Sequence, residues 1–160
     1  MIDIKLFDKL SKDAQVFVKE EWTHADFVHF GRVIQWKKET KALQAYENGV
    51  LVGVLELTIQ AGVMYIDELI VKQERQGNGI GKFLMQKVEE IAKEQKLHKI
   101  YLDTGKNWPA VKFYESLGYQ KTGELLKHFE QSDYIVFSKF YKWFDTIQWF
   151  THLRPISLID

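Results

Sequence analysis

The residues best suited to chemistry lie in one short segment, Gln76-Gly77-Asn78-Gly79-Ile80-Gly81-Lys82. Glycines let a backbone approach a ligand closely and present its amide N–H groups. An amphipathic pattern begins here and predicts a helix, whose first N–H groups are unpaired and carry a partial positive charge. Together these features predict an anion site suited to phosphate, with Lys82 adding a cation nearby. The alternative is a tight strand-to-helix turn and nothing more. Two common phosphate motifs fail on spacing. A dinucleotide G-x-G-x-x-G would use Gly77 and Gly79 but finds Lys82 in the third place. A P-loop needs four residues between its glycines, whereas Gly77 and Gly81 enclose three and Phe83 follows the lysine.

Two carboxylates, Asp67 and Glu68, precede this turn. On a regular strand Ile66, Glu68 and Ile70 share one face, and Asp67 and Leu69 the other. One carboxylate is therefore expected among apolar neighbours, where its pKa would rise and fit it to accept a proton. The five histidines (His24, His29, His98, His128, His152) show no metal-ligand spacing, so no metal is expected. There is no cysteine, which excludes disulfides, thiolate metal sites and a cysteine nucleophile.

The elements that must position these residues can be read from periodicity. Ile2, Ile4 and Leu6 alternate with polar residues and predict an opening strand; Ser11 is placed to cap a helix. The stretch from Trp22 to Lys41 reads as partly helical. Asn48-Gly49 between apolar runs predicts a hairpin, Gly62 a second turn, and Met64 to Val71 a further strand. After Gly81 the period becomes helical, with Ile80, Phe83, Leu84, Val88, Ile91 and Ala92 on one face. His98 to Leu102 is a short strand. Asn107 caps the next helix, with Pro109 in its first turn and Gly118 at its end. Tyr134 to Phe140 is the last strand.

A strand–helix–strand crossover implies parallel pairing, so the sheet is expected to be mixed: antiparallel hairpins first, a parallel crossover at its centre. The chain has 160 residues, 46% hydrophobic and 28% charged, which fits one soluble domain over 1–160. Lys plus Arg equals Asp plus Glu at 22 each, so there is no counterion-release drive toward nucleic acid. No apolar run approaches the ~20 residues of a membrane helix, and no signal peptide is evident. A cytoplasmic protein is expected. The aromatic C-terminus, with Tyr141, Trp143, Phe144, Trp149 and Phe150, is read as an extension over 141–160. It would pack on the domain's own sheet, form a dimer contact, wall the substrate site or touch a membrane surface.

Gln76, Gly79 and Gly81 form a Q-x-x-G-x-G pattern after the strand Asp67-Glu68-Leu69-Ile70-Val71. Asn107, Ala110, Phe113-Tyr114-Glu115 and Gly118-Tyr119 form a second pattern, N-x-x-A-x-x-F-Y-E-x-x-G-Y. With both motifs in this order, the chain resembles the GNAT superfamily of acyl-CoA N-acyltransferases from about Leu43 to Tyr141. The resemblance implies an α/β fold whose central sheet is splayed, flanked by helices, and acetyl-CoA as co-substrate. It implies that backbone amides of Gly77, Asn78, Gly79, Ile80, Gly81 and Lys82 hold the diphosphate. The main chain of Leu69, Ile70 and Val71 would pair with the pantetheine arm, Asn107 would contact the cofactor, and Tyr114 would face its sulfur. The implied reaction is direct attack by a primary amine, on a small molecule or a peptide; a non-catalytic acyl-CoA-binding module is the alternative.

That reaction needs a neutral amine, an oxyanion donor and a proton for the departing thiolate. A backbone N–H of Ile70 or Val71 is the expected donor. Tyr114 is the expected acid, since a phenol of pKa ~10 is protonated at neutral pH. Glu68 is the expected base, with Asp67 in reserve.

Overall fold

The computed structural model describes residues 2 and 4–142. The chain forms two compact units, Met1–Lys37 and Lys38–Asp160. The aromatic extension read over 141–160 lies, from residue 143 on, outside the described residues.

In the first unit, helix α1 spans Lys12–Phe30 and takes in the part from Trp22 to Phe30 of the stretch read as partly helical. Ser11 caps it as expected, its Oγ accepting from the Ala14 N–H at 3.2 Å. Gly31, at φ +67°, ends it with its N–H on the Phe27 carbonyl. Asp26 is buried, and its carboxylate accepts from the Ile34 N–H at 2.9 Å and the Trp36 indole at 3.1 Å. The expected opening strand does not form: Ile4 and Leu6 are exposed in irregular chain. Alternation supplies the side-chain pattern of a strand, but a strand needs a partner to satisfy its backbone.

The second unit is a six-stranded mixed sheet in the order β1-β2-β3-β4-β6-β5. Its strands are β1 Glu39–Glu47, β2 Val50–Gln60, β3 Val63–Val71, β4 Lys99–Gly105, β5 Gln120–Leu125 and β6 Tyr134–Phe140. Helix α2, Ile80–Glu94, joins β3 to β4, and α3, Ala110–Ser116, follows β4. Asn48 and Gly49, at φ +50° and +80°, turn β1 into β2 as their dipeptide predicts. The β3–β4 pair is parallel and all other pairs are antiparallel.

The core lies between the sheet and the two helices, with Leu55, Met64, Met85, Val88, Ile100 and Phe137 among its fully buried side chains. Phe83 departs from its expected place on the buried face. It is 70% exposed, because it sits one residue, about 100°, off the stripe through Leu84 and Val88. Gly53 of β2 lies directly beneath α2: a Cβ there would meet Ile80 at 3.1 Å and Leu84 at 3.3 Å.

Asn107 does not cap α3. Pro109 occupies that position without a side-chain cap, and Asn107 sits in a turn closed by the Trp108 N–H on the Gly105 carbonyl at 3.0 Å. The other end is as expected. Gly118, at φ +81°, ends α3, and the Tyr119 N–H reaches the Tyr114 carbonyl. Strand β5 was not expected from the sequence; it is a largely exposed edge strand with no apolar alternation to announce it.

Candidate active site

Strand β3 carries a bulge that re-aims its second half. Glu56 of β2 faces Glu68, but Leu57 faces Ile66, so Asp67 is the extra residue. Gly53 lies under α2, so its β2 neighbours Leu55 and Leu57, and their partners Leu69 and Ile66, point to the helix side. The simple alternation over 66–70 is therefore broken. Ile66 and Leu69 share the helix side, whereas Glu68 and Ile70 take the opposite face. Glu68 is exposed beside Glu56, not set among apolar neighbours.

The sheet then opens. β3 and β4 pair only at Val63–Lys99, Met64–Ile100 and Tyr65–Tyr101. Beyond Tyr65, β3 continues to Val71 along β2, while β4 continues to Gly105 along β6. The main chain of Leu69–Val71 thus has one edge without a strand neighbour.

A cleft of about 510 Å³ lies along this edge. Leu69, Ile70 and Val71 form one wall, and Ala110, Phe113, Tyr114 and Leu117 of α3 face them. Gly77, Gly79, Ile80, Gly81 and Lys82 close its end. Gly77 and Gly79 are both at φ +81°, where an L side chain would be strained, and a Cβ on Gly77 would meet open space. The first intrahelical bond of α2 runs from the Phe83 N–H to the Gly79 carbonyl. The N–H groups of Ile80, Gly81 and Lys82 lie ahead of it with no side-chain cap. The glycine turn therefore leads into a helix N-terminus with unpaired N–H groups, the geometry on which the expected anion site depends.

Gln76 lines the cleft too, and its amide ties the turn to the end of β3 by donating to the Val71 carbonyl at 3.1 Å. Arg75 was missed by the sequence reasoning, although it directly precedes the motif. It adds a guanidinium to the cleft lining, its Nε 2.9 Å from Glu47. Asn78, Asn107 and Glu68 are not among the lining residues.

Tyr114 projects from α3 into the cleft wall and is only 7% exposed. Phe113, Tyr119 and Phe137 surround its ring. No hydrogen bond to its hydroxyl is found among the described residues. Burial, and secondarily the charge of Asp103, push its pKa up to about 12. At the point where the strands part, the Tyr65 hydroxyl donates to Asp103 Oδ1 at 2.6 Å, and its ring lies 4.8 Å from that of Tyr101. Burial, then this hydrogen bond and the Asp103 charge, hold the Tyr65 phenol well above its usual range. Asp103 was also missed; its place in Ile100–Gly105 gives no local signal of a polar pair. Among the described residues no group of His, Asp or Glu could hold a metal ion, and no helix is long and apolar enough to cross a membrane.

Residues 6–119 match the model of the acetyltransferase (GNAT) family. Solved structures share the fold. An acetyltransferase from Bacillus cereus ATCC 14579 superposes with a TM-score of 0.67 at 22% identity, covering 86% of this chain and 98% of its own. A GNAT family acetyltransferase from Elizabethkingia anophelis with acetyl-CoA bound gives 0.60 at 20% identity, over 64% of this chain and 76% of that one. The PaiA N-acetyltransferase from Thermoplasma acidophilum, in complex with coenzyme A, gives 0.57 at 18% identity, over 82% and 80%.

Proposed function

Since the chain belongs to the acetyltransferase (GNAT) family and is an acyltransferase, we propose that it moves the acetyl group of acetyl-CoA to a primary amine by direct attack. One observation carries this reading: the glycine cradle at the head of α2 and the unpaired edge of β3 line the same cleft. A diphosphate fits the first and an extended amide-bearing arm the second. The structures from Elizabethkingia anophelis and Thermoplasma acidophilum, with acetyl-CoA and coenzyme A, support the choice of ligand. Bound there, acetyl-CoA supplies an activated thioester carbonyl.

The chain's own residues would do the following. Backbone N–H groups from Gly77 to Lys82 bind the diphosphate, aided by the Lys82 and Arg75 charges. The main chain of Leu69–Val71 pairs with the pantetheine amides as an added strand would. A free N–H of Ile70 or Val71 steadies the oxyanion, a contribution of about 2.7–4 kcal/mol in other enzymes. Tyr114 stays protonated and meets the departing sulfur. The absence of cysteine fits a route with no acyl-enzyme. An alkyl amine of pKa ~10.4 is neutral in only about one molecule in a thousand at neutral pH, so a group that disposes of its proton matters. The cytoplasm is the compartment this proposal assigns.

The test has two parts. Calorimetry should detect coenzyme A binding, and thiol release from acetyl-CoA across a panel of amines should identify an acceptor. A folded protein that ignores coenzyme A would sink the proposal.

A further inference from the structure

A second cavity, of about 530 Å³, lies wholly within the first unit, between α1 and residues 33–36. Its walls are apolar and aromatic: Val18 and Trp22 from the helix, Val33, Ile34 and Trp36 from the segment beyond it. Both indoles keep free surface, at 59% and 45% exposure.

Asp26 also lines this cavity and is only 2% exposed. The Ile34 N–H and the Trp36 indole donate to its carboxylate, and both donors are neutral. Among the described residues no lysine, arginine or histidine forms an ion pair with it. Two N–H donors fill only part of a carboxylate's lone-pair capacity, and a buried charge without a counter-charge is costly. Lys19 is the cation among the lining residues, but it is exposed and sits two turns up α1, about 10 Å along the axis.

The other polar groups of the lining narrow the ligand further. Thr23 is three residues before Asp26, a neighbour on the helix surface. It gives its hydroxyl proton to the Lys19 carbonyl at 2.7 Å, so its oxygen has only acceptor capacity left. Gln15 donates an amide N–H to the Leu10 carbonyl at 3.1 Å, while its side-chain oxygen receives no hydrogen bond among the described residues. A buried anion, open acceptors and indole walls suit a ligand with positive charge, N–H donors and an apolar body.

We propose that the first unit binds a protonated primary amine carrying an aryl or alkyl group. Its ammonium is directed to Asp26 and Thr23, and its apolar body lies against Trp22 and Trp36. An ammonium brings three N–H donors, and indole is the aromatic surface that best attracts a cation. The site belongs to the first unit alone and does not rest on the acetyl-transfer reading above.

The test titrates the full chain, without coenzyme A, at neutral pH, by calorimetry and tryptophan fluorescence. The probes are 2-phenylethylammonium, the neutral 2-phenylethanol and the quaternary trimethyl(2-phenylethyl)ammonium. The primary ammonium should bind at least about tenfold more tightly than either, since the alcohol lacks the charge and the quaternary ion lacks N–H donors. Asp26→Asn should lower its affinity about tenfold, with circular dichroism as the check that α1 persists. Thr23→Val, at a site that spends no buried charge, should lower it about fivefold and leave the alcohol within about twofold of wild type. Lys19→Gln should raise it about twofold at low salt by removing a like charge, a gain that a purely structural Asp26 would not give. Equal binding of amine and alcohol, no binding of either, an equally tight quaternary ion, or a Thr23→Val protein that binds as wild type would each overturn the proposal. Because coenzyme A is absent throughout, failure here leaves the acetyl-transfer reading standing, and a protein that ignores coenzyme A leaves this site standing.

Discussion

Strand β3 has two edges with opposite fates. Along one, β2 accompanies it from Val63 to Val71, broken only by the bulge at Asp67. Along the other, β4 leaves after Tyr65, and the last stretch of β3 has no strand beside it. A half-buried backbone edge without partners costs free energy unless something satisfies it. The paired edge serves stability; the open one is where we propose that the extended arm of the ligand pairs. The bulge links them, because it turns Leu69 toward the core while Glu68 faces outward.

Deleting Asp67 should break the comparison most severely. Without the extra residue, Ile66, Glu68 and Leu69 alternate regularly and keep their faces, but the local bend that the bulge gives β3 is lost. We expect loss of coenzyme A binding with cooperative thermal unfolding retained, read by calorimetry and circular dichroism. Tyr114→Phe tests the far wall of the open edge. It should lower kcat about 100-fold with coenzyme A affinity nearly unchanged. Because no hydrogen bond is lost with the hydroxyl among the described residues, thermal stability should hold.

Gly77→Ala should have a smaller effect. The methyl meets nothing within 4 Å, so the only cost is an L residue at φ +81°, about 1–2 kcal/mol. A loss of coenzyme A affinity of about tenfold, with a small drop in Tm, is the expected result. The mildest test is pH. Tyr114 and Tyr119 have folded pKa values raised chiefly by burial, above the unfolded value near 10. Their contribution is present below pH ~10 and is lost as pH rises toward the folded values, because the unfolded chain then ionises first. Denaturant midpoints should therefore be flat from pH 7 to 9 and fall from about 10 upward. Tyr114→Phe should blunt that fall.

Much of this architecture was legible where local chemistry decides structure. Asn48-Gly49, the run from Tyr134 to Phe140 and the period change after Gly81 each specify their own conformation. The positive-φ glycine turn before α2 was legible for the same reason. What escaped was set by partners distant in sequence. The bulge at Asp67 exists because β2 and the helices demand that both Ile66 and Leu69 face inward. Alternation in Ile2, Ile4 and Leu6 came to nothing without a neighbouring strand. Gln120–Leu125 is a strand only because β6 offers an edge. Asp103 receives its hydrogen bond from Tyr65, thirty-eight residues away. Asn107 failed as a cap because Pro109 took that position.

Gly53 has a consequence of its own. It lies below the first turn of α2, so the thickness of one residue there sets how deeply that turn is seated on the sheet. Alanine at 53 would force its neighbours outward by a few tenths of an ångström, carrying Ile80 and the adjoining glycines with them. The proposed grip on a diphosphate would then be loosened from underneath by a residue that never meets the ligand. Position 53 is a shim under the glycine-rich end of the cleft.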